Sequence, residues 1–149
     1  MNIKEGIEKR FSVRAFTDEV PSMEIIIEIL KTANSAPSGG NIQPWKVYVL
    51  NEKSKSKLAE KTLHNFDTGV QEEIEYDIYP KPLADEYKKR RYECGADMYN
   101  ALSIEKDDLD SRFKQIRENY NFFGAPLGMI ITIDRSFGNN GWGHVGMFL

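Results

Sequence analysis

One cysteine and two histidines are all that this 149-residue chain offers to metal chemistry or to a disulfide framework. A lone Cys94 cannot pair within the chain and supplies no CxxC or zinc pattern. His64 and His144 stand isolated, with no carboxylate or cysteine at ligand spacing, and both read as structural rather than catalytic. Long hydrophobic runs are missing too. Runs such as those at 25–27 and 129–131 fall far short of the ~20 residues that a bilayer span requires. At the N-terminus, Lys4, Glu5, Glu8, Lys9 and Arg10 occupy the place where a signal peptide needs an apolar stretch. No charge of one sign dominates. The net is −3, and the basic cluster at 81–91 is offset by Asp85, Glu86 and Glu93, so nothing suggests a nucleic-acid surface. Ser12 and Ser38 lie in no nucleophile elbow, which removes support for a hydrolase. Repeats and low-complexity tracts are absent. What these absences leave is a soluble, cytoplasmic protein with no metal site.

The length suits a single domain over 1–149, and a composition 40% hydrophobic and 11% aromatic supplies one core. Ile3 and Ile7, one turn apart, predict a short amphipathic helix over 2–10. Val20-Pro21-Ser22 is a start signal with Ser22 as N-cap. From there Met23, Ile26, Ile27, Leu30 and Ala33 recur at helical spacing to about Ser35, and Ile25 and Ile29 widen the stripe so far that the helix should be buried on most sides. Alternation at 46–50 predicts a strand with Val47 and Val49 on one face, and a polar helix follows over about 54–64. Residues 65–82 are polar and Tyr-bearing, with Pro80 and Pro82 blocking a continuous helix. A weaker helical period runs over 83–98, and Leu109, Phe113, Ile116 and Tyr120 form a stripe for a helix starting near Asp107. Residues 127–133 read as a strand buried on both faces. Gly138-Asn139-Asn140-Gly141 is a turn, and 142–149 opens a helix with Val145, Phe148 and Leu149 on its buried face. That helix stops without a capping glycine or basic last turn, as a fragment of a longer domain would.

Two stretches carry the chemistry. Arg10-Phe11-Ser12-Val13-Arg14 sets two guanidinium groups and a hydroxyl at alternate positions, which share one face in an extended segment. Guanidinium forks match phosphate oxygens, and their charge does not titrate away. Alone, this spacing is better explained by a solvated turn in which the arginines pair with Glu8 or Asp18. Its weight comes from the second stretch, Ala36-Pro37-Ser38-Gly39-Gly40-Asn41-Ile42-Gln43-Pro44-Trp45, delivered by the next helix. Small residues there let a flat ligand lie close to backbone N–H groups. Trp45 reads as core packing at a strand start, and Gln43 has no assigned role.

Together these stretches resemble the FMN-dependent nitroreductase family, whose opening reads Arg-Arg-Ser-Ile-Arg or similar and whose loop reads Pro-Ser-Ser-Gly-Asn-x-Gln-Pro-Trp. Two departures are Phe11, where the family often has a second basic side chain, and Gly39, where it usually has a second Ser. Phe122-Phe123-Gly124-Ala125-Pro126 before the second strand is similar to one subgroup. The resemblance implies an α+β fold with a central, mainly antiparallel sheet flanked by helices, its C-terminal part missing, assembled as an intertwined homodimer. It places the FMN phosphate and ribityl chain on Arg10, Ser12 and Arg14. The flavin ring would lie against Pro37, Ser38, Gly39 and Asn41 contributed by the partner subunit. It implies ping-pong electron transfer from NAD(P)H through FMN to nitroaromatics, quinones or similar flat acceptors, the flavin's N5 carrying the hydride and no side chain acting as catalyst. Residues 65–121 would form a variable helical excursion over the substrate channel. The alternatives are a flavin-binding remnant without turnover, or a flavin-dependent dehalogenase on the same scaffold. If the chain is a fragment, expressed alone it should hold FMN poorly, and a yellow, dimeric, NAD(P)H-oxidising product would contradict that.

Overall fold

The computed structural model describes residues 2–70 and 77–149. The part of the predicted polar stretch at 71–76 therefore lies outside the described residues. The chain divides into two compact units, one formed by Met1–Leu58 with Phe122–Leu149 and the other by Ala59–Asn121.

In the first unit, α1 (Ile3–Lys9) starts at a complete capping box. The Asn2 side chain accepts from the Glu5 N–H at 2.9 Å while Glu5 accepts from the Asn2 N–H at 3.1 Å. Ser22 caps α2 (Met23–Ala33), its hydroxyl accepting from the Ile25 N–H. The predicted position of this helix holds, but its burial does not. Only Ile26 is buried, whereas Met23, Ile25, Ile27 and Ile29 are exposed. The apolar stripe is wider than the surface that this chain itself packs against it.

Strands β1 (Trp45–Leu50) and β2 (Gly128–Ile133) pair antiparallel, with Trp45 opposite Ile133, Val47 opposite Ile131 and Val49 opposite Met129. Pleating puts Trp45, Val47 and Val49 on the inner face and leaves Lys46 and Tyr48 exposed. The expectation that β2 is buried on both faces fails, because Gly128 alone is buried and the other five residues are half-buried. Among the described residues the sheet has two strands, each with an unpaired edge, so neither is enclosed as a central strand would be.

Helix α6 (Asn140–Phe148) closes the unit's core. Its Phe148 ring lies 5.0 Å from that of Trp45, and Val145 is buried one turn earlier. Gly141 makes this approach possible. A Cβ added there would stand 2.7 Å from Ile133 Cδ1 and 3.0 Å from Phe137 Cβ. The turn before it is capped by Asp134, whose carboxylate accepts from Ser136 and is held below the usual carboxylate range by those bonds. Gly138 leaves that turn at φ 55, ψ −153, a conformation open essentially to glycine. Leu149, expected on the buried face, is 83% exposed, so the helix buries Val145 and Phe148 without it.

The division between the units falls within α3 (Glu52–Asp67), which is longer than the predicted 54–64 because Asn51 caps it, accepting from the Ser54 N–H at 2.9 Å. The second unit also contains α4 (Asp85–Ala101) and α5 (Leu109–Arg117). Gly95 does not interrupt α4. Asp108 caps α5, accepting from the Ser111 N–H at 3.0 Å, and those bonds lower its pKa. The Phe66 ring lies 4.9 Å from Phe113 and 4.6 Å from Tyr120, which is how the predicted stripe packs. Arg117 grips Asp67 with two bonds of 2.8 Å. Among the described residues no helix is long and apolar enough to cross a membrane.

Candidate functional site

The arginine segment follows directly from α1. Arg10 is the C-cap, its backbone turning extended at φ −70, ψ 129, and residues 10–16 carry no helix or strand. Arg10, Ser12 and Arg14 are all exposed. Among the described residues neither arginine forms an ion pair, so pairing with Glu8 or Asp18 does not occur. The structure brings Arg14 and Ser12 together, Nη1 donating to the Ser12 carbonyl at 3.4 Å. It also sets the Arg14 guanidinium 5.7 Å from the centre of the Phe123 ring, which ties this segment to the Phe-Phe-Gly corner.

That corner is strained. Phe122, Phe123 and Gly124 take φ values of 54, 51 and 71 in succession. Left-handed backbone at two non-glycine residues costs roughly 1–2 kcal/mol each. The Phe122 ring lies against Gly128, where an added Cβ would meet it at 3.0 Å, and the Lys55 ammonium donates to the Ala125 carbonyl. Strain of this kind collects where surrounding contacts over-determine the backbone, as at ligand sites.

The small-residue stretch forms a 3-10 turn, Gly39–Asn41, just after α2. Gly40 and Asn41 are left-handed at φ 58 and 54, and an added Cβ at Gly40 would meet nothing within 4 Å. Asn41 N–H donates to Ser38 O at 2.8 Å, and Ile42 N–H to Gly39 O at 3.2 Å. The N–H groups of Gly39 and Gly40 find no backbone acceptor among the described residues, as is usual for the first donors of a helical turn. Ser38 Oγ accepts the Gln43 N–H at 2.9 Å and keeps its own proton to donate.

Two residues that position this turn have no motif to announce them. Asn34, the C-cap of α2, accepts from Gln43 Nε2 on its carbonyl at 3.1 Å and from Trp45 Nε1 on its side chain at 3.0 Å. Gln43, unassigned from sequence, thus anchors the turn, and Trp45 is core, as expected, at 8% exposure. The other residue is His144 of α6, whose Cε1 would lie 3.4 Å from a Cβ at Gly39. Its isolation in sequence hid this contact. No hydrogen bond or ion pair joins the arginine segment to the 37–41 turn among the described residues. No group of His, Cys, Asp or Glu there could hold a metal.

The paired strands, α6 over them and α2 leading to the turn make this an α+β protein. The chain belongs to the nitroreductase family, which it matches over residues 7–148. It is 36% identical over 133 residues to 4-nitrobenzoate reductase of Nocardioides sp. (strain LMS-CY), covering 87% of this chain and 54% of that relative. A solved FMN and NADPH-dependent nitroreductase NfnB from Sphigopyxis sp. strain HMH superposes with a TM-score of 0.90 at 34% identity, covering 99% of this chain and 67% of that one. A shorter match, 46% identical over 52 residues, covers 34% of this chain and 28% of an iodotyrosine deiodinase of Thermotoga neapolitana. The chain spans little more than half the length of the first of these relatives.

Proposed function

We propose that this protein is an FMN-dependent oxidoreductase that passes electrons from NAD(P)H to nitroaromatic, quinone or similar flat acceptors. The observation that carries the reading is the pair Arg10 and Arg14, neither in an ion pair among the described residues, flanking Ser12 in an exposed segment of a chain that matches the nitroreductase family over residues 7–148. These residues fit a phosphate: two forked cations without a protein carboxylate, and a hydroxyl between them. The 37–41 turn fits a flat ring, with side chains absent at two positions and the Gly39 and Gly40 N–H groups without a backbone acceptor.

When bound, FMN supplies a ring nitrogen that accepts a hydride from the nicotinamide and later delivers it to the acceptor. Arg10 and Arg14 hold its phosphate by charge, and Ser12 donates to a phosphate or ribityl oxygen. Pro37 and Gly39 offer a surface without bulk for the ring, while Ser38 and Asn41 bring polar groups to its edge. Donors aimed at the ring's polar edge favour its reduced, anionic form. Asn34 ties the turn to Trp45 through its hydrogen bonds, and His144 lies beside Gly39.

The two halves of the site belong, in this reading, to two subunits of a homodimer, each lending its turn to the other's cofactor. This accords with the lack, among the described residues, of any hydrogen bond or ion pair between the halves, and with the apolar side chains left exposed on α2 at Met23, Ile25, Ile27 and Ile29. The helices at 65–121 would choose the acceptor, in a single domain acting in the cytoplasm.

The test is spectroscopic. The purified full-length protein, loaded with FMN, should bleach on anaerobic addition of NADPH or NADH and recover colour with a nitroaromatic or quinone. Flavin that stays oxidised under both donors would refute the reductase and leave a passive binder. Recovery with 3-iodotyrosine alone would favour the dehalogenase chemistry that the shorter match suggests.

A further inference from the structure

Packing explains one of the two strained phenylalanines before Gly124, and the other leads back to Arg14. Glycine takes φ values of 54 and 51 freely, whereas a phenylalanine there carries the left-handed clash of its own Cβ. Both rings are kept despite that clash, so each is expected to do something that glycine could not. The Phe122 ring lies against Gly128, where an added Cβ would meet it at 3.0 Å. The Phe123 ring meets a cation, the Arg14 guanidinium, 5.7 Å from its centre and within the ~6 Å reach of such a contact.

The two partners differ in how firmly they are held. The corner is braced from both sides. The Ala125 N–H donates to the Phe122 carbonyl at 3.0 Å, and the Lys55 ammonium of α3 donates to the Ala125 carbonyl. Just beyond, Gly128 is already paired with Leu50 in the sheet. Arg14, by contrast, sits in the 10–16 segment, which has no helix or strand. Of the five N–H donors of its guanidinium, one finds a protein acceptor among the described residues, the Ser12 carbonyl at 3.4 Å. A long side chain on such a segment gives up its rotamer freedom when it binds an anion, unless something has fixed it beforehand.

We infer, on the reading that Arg14 meets the FMN phosphate, that Phe123 is a positioning residue for the cofactor: its ring holds the Arg14 guanidinium in place before the flavin arrives. A phenyl face suits this task better than a carboxylate. It attracts the cation while taking none of the N–H groups, and it adds no negative charge to repel a phosphate. A carboxylate would occupy the forked donors that the phosphate needs. The braced corner thus lends its order to the looser arginine segment, and both belong to the same compact unit.

A double-mutant cycle on flavin affinity tests this, read by fluorescence quenching on the full-length apoprotein with FMN and riboflavin as probes. Phe123→Leu keeps an apolar side chain and the backbone strain but removes the ring face. It should weaken FMN roughly two- to tenfold, the range of one cation–π contact. Riboflavin, which has no phosphate, should bind as before. Phe123→Tyr retains the face and should hold FMN affinity within about twofold of the parent. In an Arg14→Gln background Phe123→Leu should cost nothing further, because a positioning residue acts only through the arginine. A general loosening of the fold would weaken both flavins and would persist in that background, and either result overturns the proposal. FMN affinity indifferent to Phe123→Leu, while Arg14→Gln weakens it, would overturn the positioning role and leave the phosphate reading standing. Arg14→Gln without effect on FMN would remove the phosphate reading and the positioning role together.

Discussion

Replacing Gly141 with alanine should destabilise the protein, although the same change elsewhere on the same helix should stabilise it. The added Cβ would stand 2.7 Å from Ile133 Cδ1 and 3.0 Å from Phe137 Cβ. The first contact is with the end of a side chain that can rotate. The second is with an atom fixed to the backbone of the Arg135–Phe137 turn, so α6 or the turn must move. Overpacking of this kind costs about 1–3 kcal/mol. Alanine's advantage over glycine inside a helix returns up to about 1 kcal/mol, less in a first turn. The net loss is therefore about 1–2 kcal/mol, a fall of roughly 3–7 °C in Tm for a chain of this size. At Gly143 and Gly146 an added Cβ would meet nothing within 4 Å, so alanine there should gain about 0.5–1 kcal/mol each. Thermal unfolding followed by circular dichroism reads all three. Adding Ile133→Val to Gly141→Ala should recover part of the loss, because it removes the nearer of the two clashing atoms. A Tm for Gly141→Ala at or above the parent's, or an equal fall for Gly143→Ala, would refute the close docking of α6 on β2 and with it the placement of His144 beside the turn.

Asn34→Ala removes the part-buried acceptor of the Trp45 indole N–H and should cost about 0.5–1.5 kcal/mol; a Tm unchanged within a degree or so would show that Trp45 does not depend on it. Gly39→Ser should be tolerated, since its Cβ would meet His144 only at ordinary contact distance, and FMN affinity should hold or rise; a fall in Tm of several degrees would count against the described turn. The Arg117 bonds lower the pKa of Asp67, so the stability they provide is present above the unfolded carboxylate value of about 3.9 and is lost as pH falls through the lowered folded value. The difference in Tm between the parent and Asp67→Asn should accordingly be largest near neutral pH and shrink below about pH 4. A difference that grows with acid would have the wrong sign.

Local signals were readable where one element contains its own cause. Ser22 and the stripe behind it located α2, Asp108 follows from the residue beside which α5 was expected to start, and alternation at 46–50 found β1. Burial was not readable, because it depends on what packs against a face. The wide stripe of α2 and the apolar run of β2 both predicted enclosure that the chain alone does not provide. Asn51 extended α3 beyond its predicted start through a cap that resembled any loop asparagine. At the candidate site, residue type and spacing marked the arginines and the small-residue turn as candidates, and the family resemblance supplied the role proposed for them. Asn34 and His144 carried no such mark, since the first acts across eleven positions on Trp45 and the second reaches Gly39 from the last helix. The left-handed Phe122 and Phe123, and the Arg14 contact with the latter, likewise have no signature in a sequence read one segment at a time.

The account turns on whether Arg10 and Arg14 grip a phosphate. The direct measurement is the affinity of the full-length apoprotein for FMN and for riboflavin, by quenching of flavin fluorescence, in the parent, Arg10→Gln and Arg14→Gln. Each variant should lose roughly ten- to hundredfold for FMN, the worth of a charged hydrogen-bonding partner, and lose nothing for riboflavin, which lacks the phosphate. Equal losses for both flavins, or none for FMN, would contradict it.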